Sequence, residues 1–160
     1  MLTIIGCGNL TRSDDGLGPF VARRLHAHVT ALGRTDVRVL DAGTDGMAVM
    51  FSARGSDALV IIDAARTGSE PGAVYEVPGD VLARDYELGL SFHDFRWDHA
   101  IAAGQRLFAD VFPRAVTVLL VEAESTDFGL ELSSSVAAAA DHVIARIEGL
   151  IAAYSGEVAA

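Results

Sequence analysis

Four aspartates stand just after short apolar runs in this chain: Asp14 and Asp15 behind LTII, Asp41 behind VRVL, and Asp63 behind LVII. Carboxylates can serve as general acids and bases, hold a metal ion, or cap a turn. Singly, each is most simply a turn or cap residue, because an Asp side chain readily accepts from nearby backbone amides. Gathered together, they would raise one another's proton affinity unless a cation or a hydrogen-bond donor joined them. Two imidazoles are placed to do so: His93, in SFHDF, and His99, further along the same segment. Their spacing turns a helix by about 600°, so the two cannot share a helical face. Two carboxylates and one imidazole with open positions suit a divalent transition metal such as zinc, nickel or manganese.

Other chemistries fit less well. Cys7 lies between two glycines at the end of an apolar run, where a small buried residue is the simpler reading than a nucleophile. GCGN resembles the start of a dinucleotide fingerprint, and Asp41 stands where a ribose-binding acid would. The third glycine of that fingerprint is replaced by Thr11, and the following SDD would set two negative charges near an incoming pyrophosphate. A nucleotide- or adenosylmethionine-binding domain is therefore the alternative reading. No GxSxG elbow, HExxH pair, P-loop or CxxC is present.

The elements that must position these residues follow from periodicity. Leu2 to Ile5, Val37 to Leu40, Ala58 to Ile62 and Val116 to Val121 are short apolar runs rich in β-branched residues, as expected of strands buried on both faces. Leu17, Val21, Leu25, Val29 and Leu32 recur at helical spacing before Gly33. A second helix is expected from Gly46 to about Ala53. A third, marked by Trp97, Ile101, Gly104, Phe108 and Val111, would be capped by Ser91 and closed before Pro113. The closing helix carries Val136, Ala140, Val143, Ile147 and Ile151, with Ser133 to Ser135 as N-cap candidates. Between turns rich in glycine and proline, AVYEV predicts a short edge strand.

Together these predict a single α/β domain over residues 1–154, a three-layer sandwich with a mostly parallel, twisted, five-stranded sheet and helices on both faces, and a frayed tail at 155–160. In such a sheet the strand-to-helix exits lie along one edge, where ligands bind, so all four aspartates are expected there.

Composition bounds the function. The chain has 160 residues, 51% of them hydrophobic and 21% charged, which is ordinary for a globular domain. A formal charge of −10 would repel phosphate backbones, arguing against nucleic acid as partner. No apolar run reaches the roughly 20 residues needed to cross a bilayer. MLTIIGCGN lacks the basic start and cleavage site of a signal peptide, and a single cysteine suits a reducing compartment, so a cytoplasmic location is expected.

The ordered set of GxGNxxxxDDGxG after the first strand, LDAGT at the second, LVIIDA at the third, then SxH, VTVLLVEAES and GLELSSSV resembles the nickel-iron hydrogenase maturation endopeptidases along almost the whole chain. That resemblance implies removal of a C-terminal extension from a nickel-loaded hydrogenase large-subunit precursor, which is the partner it names. It also implies three metal-binding and catalytic residues: Asp15 rather than Asp14, Asp63, and His93 rather than His99. The nickel would be carried by the substrate as a recognition element, the resting site being empty or holding a surrogate divalent metal. A non-catalytic chaperone of a metal centre would use the same ligands. Asp41 is a further candidate for the site, positioning those ligands or meeting the substrate, or else a strand-end turn. Asp14 is most simply the cap of the first helix, with a carboxylate to spare for the metal. Arg12, Asp45 and VEAES depart from the family's commonest pattern and bear on which precursor is served. Phe92, Phe95 and Trp97 offer a docking patch, with core packing the simpler place for Trp97.

Overall fold

The computed structural model describes residues 1–85 and 94–158, with side chains described through Tyr154. Ser91, Phe92 and His93 therefore lie outside the described residues. Five strands form one sheet: β1 (Leu2–Cys7), β2 (Val37–Gly43), β3 (Ala58–Ala65), β4 (Val74–Pro78) and β5 (Ala115–Glu122). Their order is β2-β1-β3-β5-β4, all neighbours parallel except β4 against β5. AVYEV is thus the antiparallel edge strand, its alternating exposure matching a strand with one wet face.

Alternation along the strands assigns each side chain to a layer. Leu2 and Ile4 of β1 and Val60 and Ile62 of β3 pack under α1 (Leu17–Ala31) and α5 (Ser134–Val158). Ile5 and Cys7 of β1 and Leu59 and Ile61 of β3 face α2 (Gly46–Ala53) and α4 (Trp97–Phe108). A short helix, α3 (Gly79–Leu82), follows β4. Of the helical stripe read from Leu17 to Leu32, Leu17, Val21, Leu25 and Val29 form the buried face of α1, whereas Leu32 lies at the C-cap just past the helix and is exposed. Ser133 sits just before α5 and its hydroxyl accepts from the Val136 amide at 3.4 Å, the N-cap expected of the serine run.

Two helix ends differ from expectation. α4 begins at Trp97 with Arg96 as its N-cap, so Ser91 lies too far upstream to cap it. It ends at Phe108, where Ala109 takes a positive φ of 42° and the chain tightens into a 3-10 turn over Ala109–Val111. Val111 is consequently exposed rather than part of the helix's buried stripe.

The β2-β1-β3 order matters for function. The connection after β1 crosses one face of the sheet through α1 and that after β2 crosses the other through α2. A crevice opens where they part, at the carboxyl ends of β1 and β3.

Candidate functional site

Register carries Asp63 to that crevice. Gly6 pairs with Ile62, so Cys7 and Gly8 leave β1 beside Asp63. Strand parity turns the Asp63 side chain toward α2 and α4, and the residue as a whole is only 1% exposed. One oxygen, Oδ2, accepts from Trp97 Nε1 at 2.6 Å and from Arg96 Nη2 at 3.0 Å. The other, Oδ1, accepts from the Ala64 amide at 2.9 Å. Burial pushes the carboxyl up to about 6, against the Trp97 and Arg96 contacts that pull it down, and the charge of Asp15 adds to the rise.

Gly8 fits between the Asp63 carboxylate and the backbone of Asp15. Its φ is +127°, and a Cβ there would meet the Asp15 carbonyl oxygen at 1.9 Å and Asp63 Oδ1 at 3.5 Å. Only glycine lets the chain pass between them. Asp15, on the 3-10 turn Ser13–Gly16, accepts from the Asn9 amide through Oδ2 at 2.9 Å. Asp15 and Asp63 both line an open cavity of about 510 Å³, with Cys7, Gly8, Asp94, Arg96 and Trp97 among its walls.

The remaining aspartates are drawn elsewhere. Asp14 is completely buried and caps no helix: its carboxylate accepts from the amides of Glu124, Ser125 and Ser133 and from the Ser133 hydroxyl, at 2.7–3.1 Å. It ties the β5–α5 connection to the first loop. α1 is entered through Gly16 with no side-chain cap. With four donors upon it, Asp14 has no carboxylate to spare. Asp41 lies on the opposite parity from Asp63, facing α1, where it accepts from the Gly43 amide at 3.0 Å and pairs with Arg23 at 3.2 Å. It is a strand-end turn residue outside the main cavity. Edge convergence alone did not distinguish these four, because it ignores which face each side chain takes.

His99 supports a helix end, its Nδ1 accepting from the Arg96 amide at 3.3 Å. His93 lies outside the described residues. Among the described residues no three His, Cys, Asp or Glu side chains gather into a metal-holding set. Asp15 and Asp63 supply two oxygen donors on one cavity, a start that fits a divalent cation.

Sequence reasoning missed Arg96 and the hydrogen bond of Trp97. The signal was the crowding of charge and aromatics in FHDFRWDHA, read there as a docking patch. Phe95 and Trp97 are 6% and 8% exposed, so neither can dock a partner, and Phe92 lies outside the described residues. Asp45 proves to be the N-cap of α2, accepting from Met47 and Ala48 amides. Arg12 lies over the ring of Phe128 at 4.9 Å. Glu122, in VEAES, accepts from the amides of Thr67 and Gly68, bonds that outweigh its burial and hold it below the usual carboxylate range.

The first loop is no phosphate cradle. The amides of Gly8, Asn9, Thr11, Arg12, Ser13, Asp14 and Asp15 all donate within the protein. Phosphate binding needs such amides free. What the crevice presents instead is acid: the domain is an α/β sandwich whose switch point holds a buried carboxylate and a second acid beside it.

Residues 19–150 match the family described as HycI, hydrogenase maturation protease, and the chain belongs to that family. The matched stretch contains Asp63 and His93 and begins just after Asp15. Hydrogenase expression/formation protein HupD of Thiocapsa roseopersicina is 29% identical over 139 residues, spanning 84% of this chain and 60% of that protein. HupD of Rhodobacter capsulatus is 29% identical over 157 residues, spanning 97% of this chain and 73% of that one. The fold is shared with the hydrogenase maturating endopeptidase HybD from E. coli, at a TM-score of 0.77 and 20% identity over 96% of this chain and 93% of that one. It is shared too with the [NiFe] hydrogenase maturation protease HybD from Thermococcus kodakarensis, at 0.73 and 25% identity over 93% and 97%. Among the described residues no helix is long and apolar enough to cross a membrane.

Proposed function

We propose that this protein is an endopeptidase that removes the C-terminal extension of a nickel-loaded hydrogenase large-subunit precursor, using the substrate's nickel as its recognition element. The observation that carries the reading is Asp63, buried at the β1/β3 crevice, with a proton affinity raised toward neutrality and Asp15 in the same cavity. Family membership supplies the class of reaction.

In this reading Asp15, Asp63 and His93 meet the substrate's metal, which fixes the register of the chain and polarises the scissile carbonyl. Asp63 Oδ2 accepts from both Trp97 and Arg96, so Oδ1, which among the described residues accepts only from the Ala64 amide, is the oxygen with a lone pair left to take a proton from an attacking water. A thiolate nucleophile is disfavoured, since burial, and then the charge of Asp63, drive the Cys7 thiol well above its ordinary range. No metal need reside in the protein between turnovers.

The test is mass spectrometry of nickel-loaded and nickel-free precursor after incubation with this protein. Loss of the C-terminal extension is expected only from the loaded sample, and not with Asp63→Asn or Asp15→Asn. Equal cleavage of the nickel-free sample would refute recognition through nickel. Binding of the loaded precursor without cleavage would instead favour a metal-centre chaperone.

A further inference from the structure

Arg96 occupies an unusual position for the partner of a buried acid. Its guanidinium reaches Asp63 Oδ2 at 3.0 Å, yet its side chain is 59% exposed while that of Asp63 is 2% exposed. The root of the residue is held. Gly46 lies flat against its backbone, where a Cβ would come within 2.3 Å of the Phe95 carbonyl oxygen and 2.6 Å of the Arg96 one. The Gly46 amide donates to the Phe95 carbonyl at 3.1 Å, and the Arg96 amide donates to His99 Nδ1 at 3.3 Å. The charged head, on its long stem, is the part that can move.

Two features make such movement tolerable. Trp97 Nε1 remains on the same oxygen at 2.6 Å, so Asp63 keeps one fixed donor when the guanidinium leaves. A buried carboxylate left without a counter-charge is costly, so when the guanidinium leaves Asp63 must take a proton or another cation in its place. The cavity that Arg96 lines is open and also holds Asp15, so an incoming cation would meet both acids there.

We propose that Arg96 is an exchangeable counter-cation of Asp63, which holds the acid pair in the resting protein, keeps free divalent ions out, and yields to a cation presented within a bound substrate. This rests on the reading that Asp15 and Asp63 meet a metal carried by the substrate. A bound polypeptide adds contacts along the cavity that offset displacing the guanidinium, whereas a hydrated free ion has none to add. The selectivity comes from a repulsive element, one positive charge standing in the place of another. Arg96 is then a positioning and specificity residue acting through Asp63.

The experiment is a titration of the protein alone with Co2+, followed by its visible absorption, for wild type, Arg96→Gln, Arg96→Lys and Arg66→Gln. Arg66 stands just beyond the end of β3 and donates to Thr126 at 3.0 Å, so its removal controls for the general loss of one positive charge. Arg96→Gln is expected to bind Co2+ at least tenfold more tightly than wild type, about 1.4 kcal/mol. Arg96→Lys and Arg66→Gln should stay within threefold of wild type, and Asp63→Asn added to Arg96→Gln should abolish the gain. A merely structural role for Arg96 would weaken binding instead. Equal, weaker or undetectable Co2+ binding by Arg96→Gln, or an equal gain in Arg66→Gln, overturns the proposal. Cleavage of nickel-loaded precursor is measured separately, so failure of the protease reading would show there and not in the titration.

Discussion

Replacing Trp97 by Phe removes one donor from Asp63 and leaves an apolar ring in the same place, which makes the coupling between this pair measurable. The bond is short, 2.6 Å, and the acceptor is a buried carboxylate. Hydrogen bonds to charged groups contribute about 1.5–3 kcal/mol, so the loss should raise the Asp63 proton affinity by about 1–2 pKa units. The sign is set by the resting value. Burial lifts Asp63 from 3.8 to about 6, so ionising it costs the folded state. That cost is absent below about pH 4, grows between about pH 4 and 6, and is complete above. Without the indole donor the window should extend to about pH 7–8. The variant should therefore lose roughly 1.4–2.7 kcal/mol more stability at pH 8.5 than at pH 4.5. For a chain of this length that is a further fall in Tm of roughly 4–8 °C at the higher pH. The smaller volume of Phe costs the same at both pH values and drops out of the comparison. Thermal unfolding of both proteins at the two pH values, with an NMR titration of the Asp63 carboxyl, reads the effect. An equal Tm difference at both pH values, with an unmoved titration, would refute the electrostatic coupling.

Asp14→Asn should lower stability by about 3 kcal/mol, since an amide cannot accept all four of the hydrogen bonds now made to the carboxylate. A denaturant melt checks this, and unchanged stability with lost precursor cleavage would return Asp14 to the active site. Gly8→Ala meets both a positive φ and a carbonyl oxygen 1.9 Å from its new Cβ, so it should destabilise by about 3 kcal/mol or more and abolish cleavage. Asp45→Ala removes the acceptor of two amides at the start of α2 and should cost about 1 kcal/mol, read as a Tm lower by roughly 3 °C.

Much of the architecture was legible because its signals are local. Apolar runs such as LVII can be buried on both faces, the Leu17-to-Val29 stripe can only be one side of a helix, and Gly and Pro around AVYEV isolate it as an edge strand. The same reasoning brought all four strand-end aspartates to one sheet edge. It could not separate them, because Asp41 and Asp63 take opposite faces by strand parity, and parity matters only once the layers are assembled. Asp14 looked equivalent to Asp15 in DDG until the β5–α5 connection folded over it with four donors far away in sequence.

The sequence by itself determined the sheet, its helices, the acid-bearing ends of its strands and, through the order of its motifs, the family. Those are properties of periodicity and residue type, which the chain carries before it folds. Tertiary structure decided that Asp63 and Asp15 share the cavity while Asp14 is buried elsewhere, and that Arg96 and Trp97 converge on a single oxygen of Asp63. The proton affinity of that carboxyl depends on desolvation and on charges brought from distant segments, so it exists only in the packed molecule.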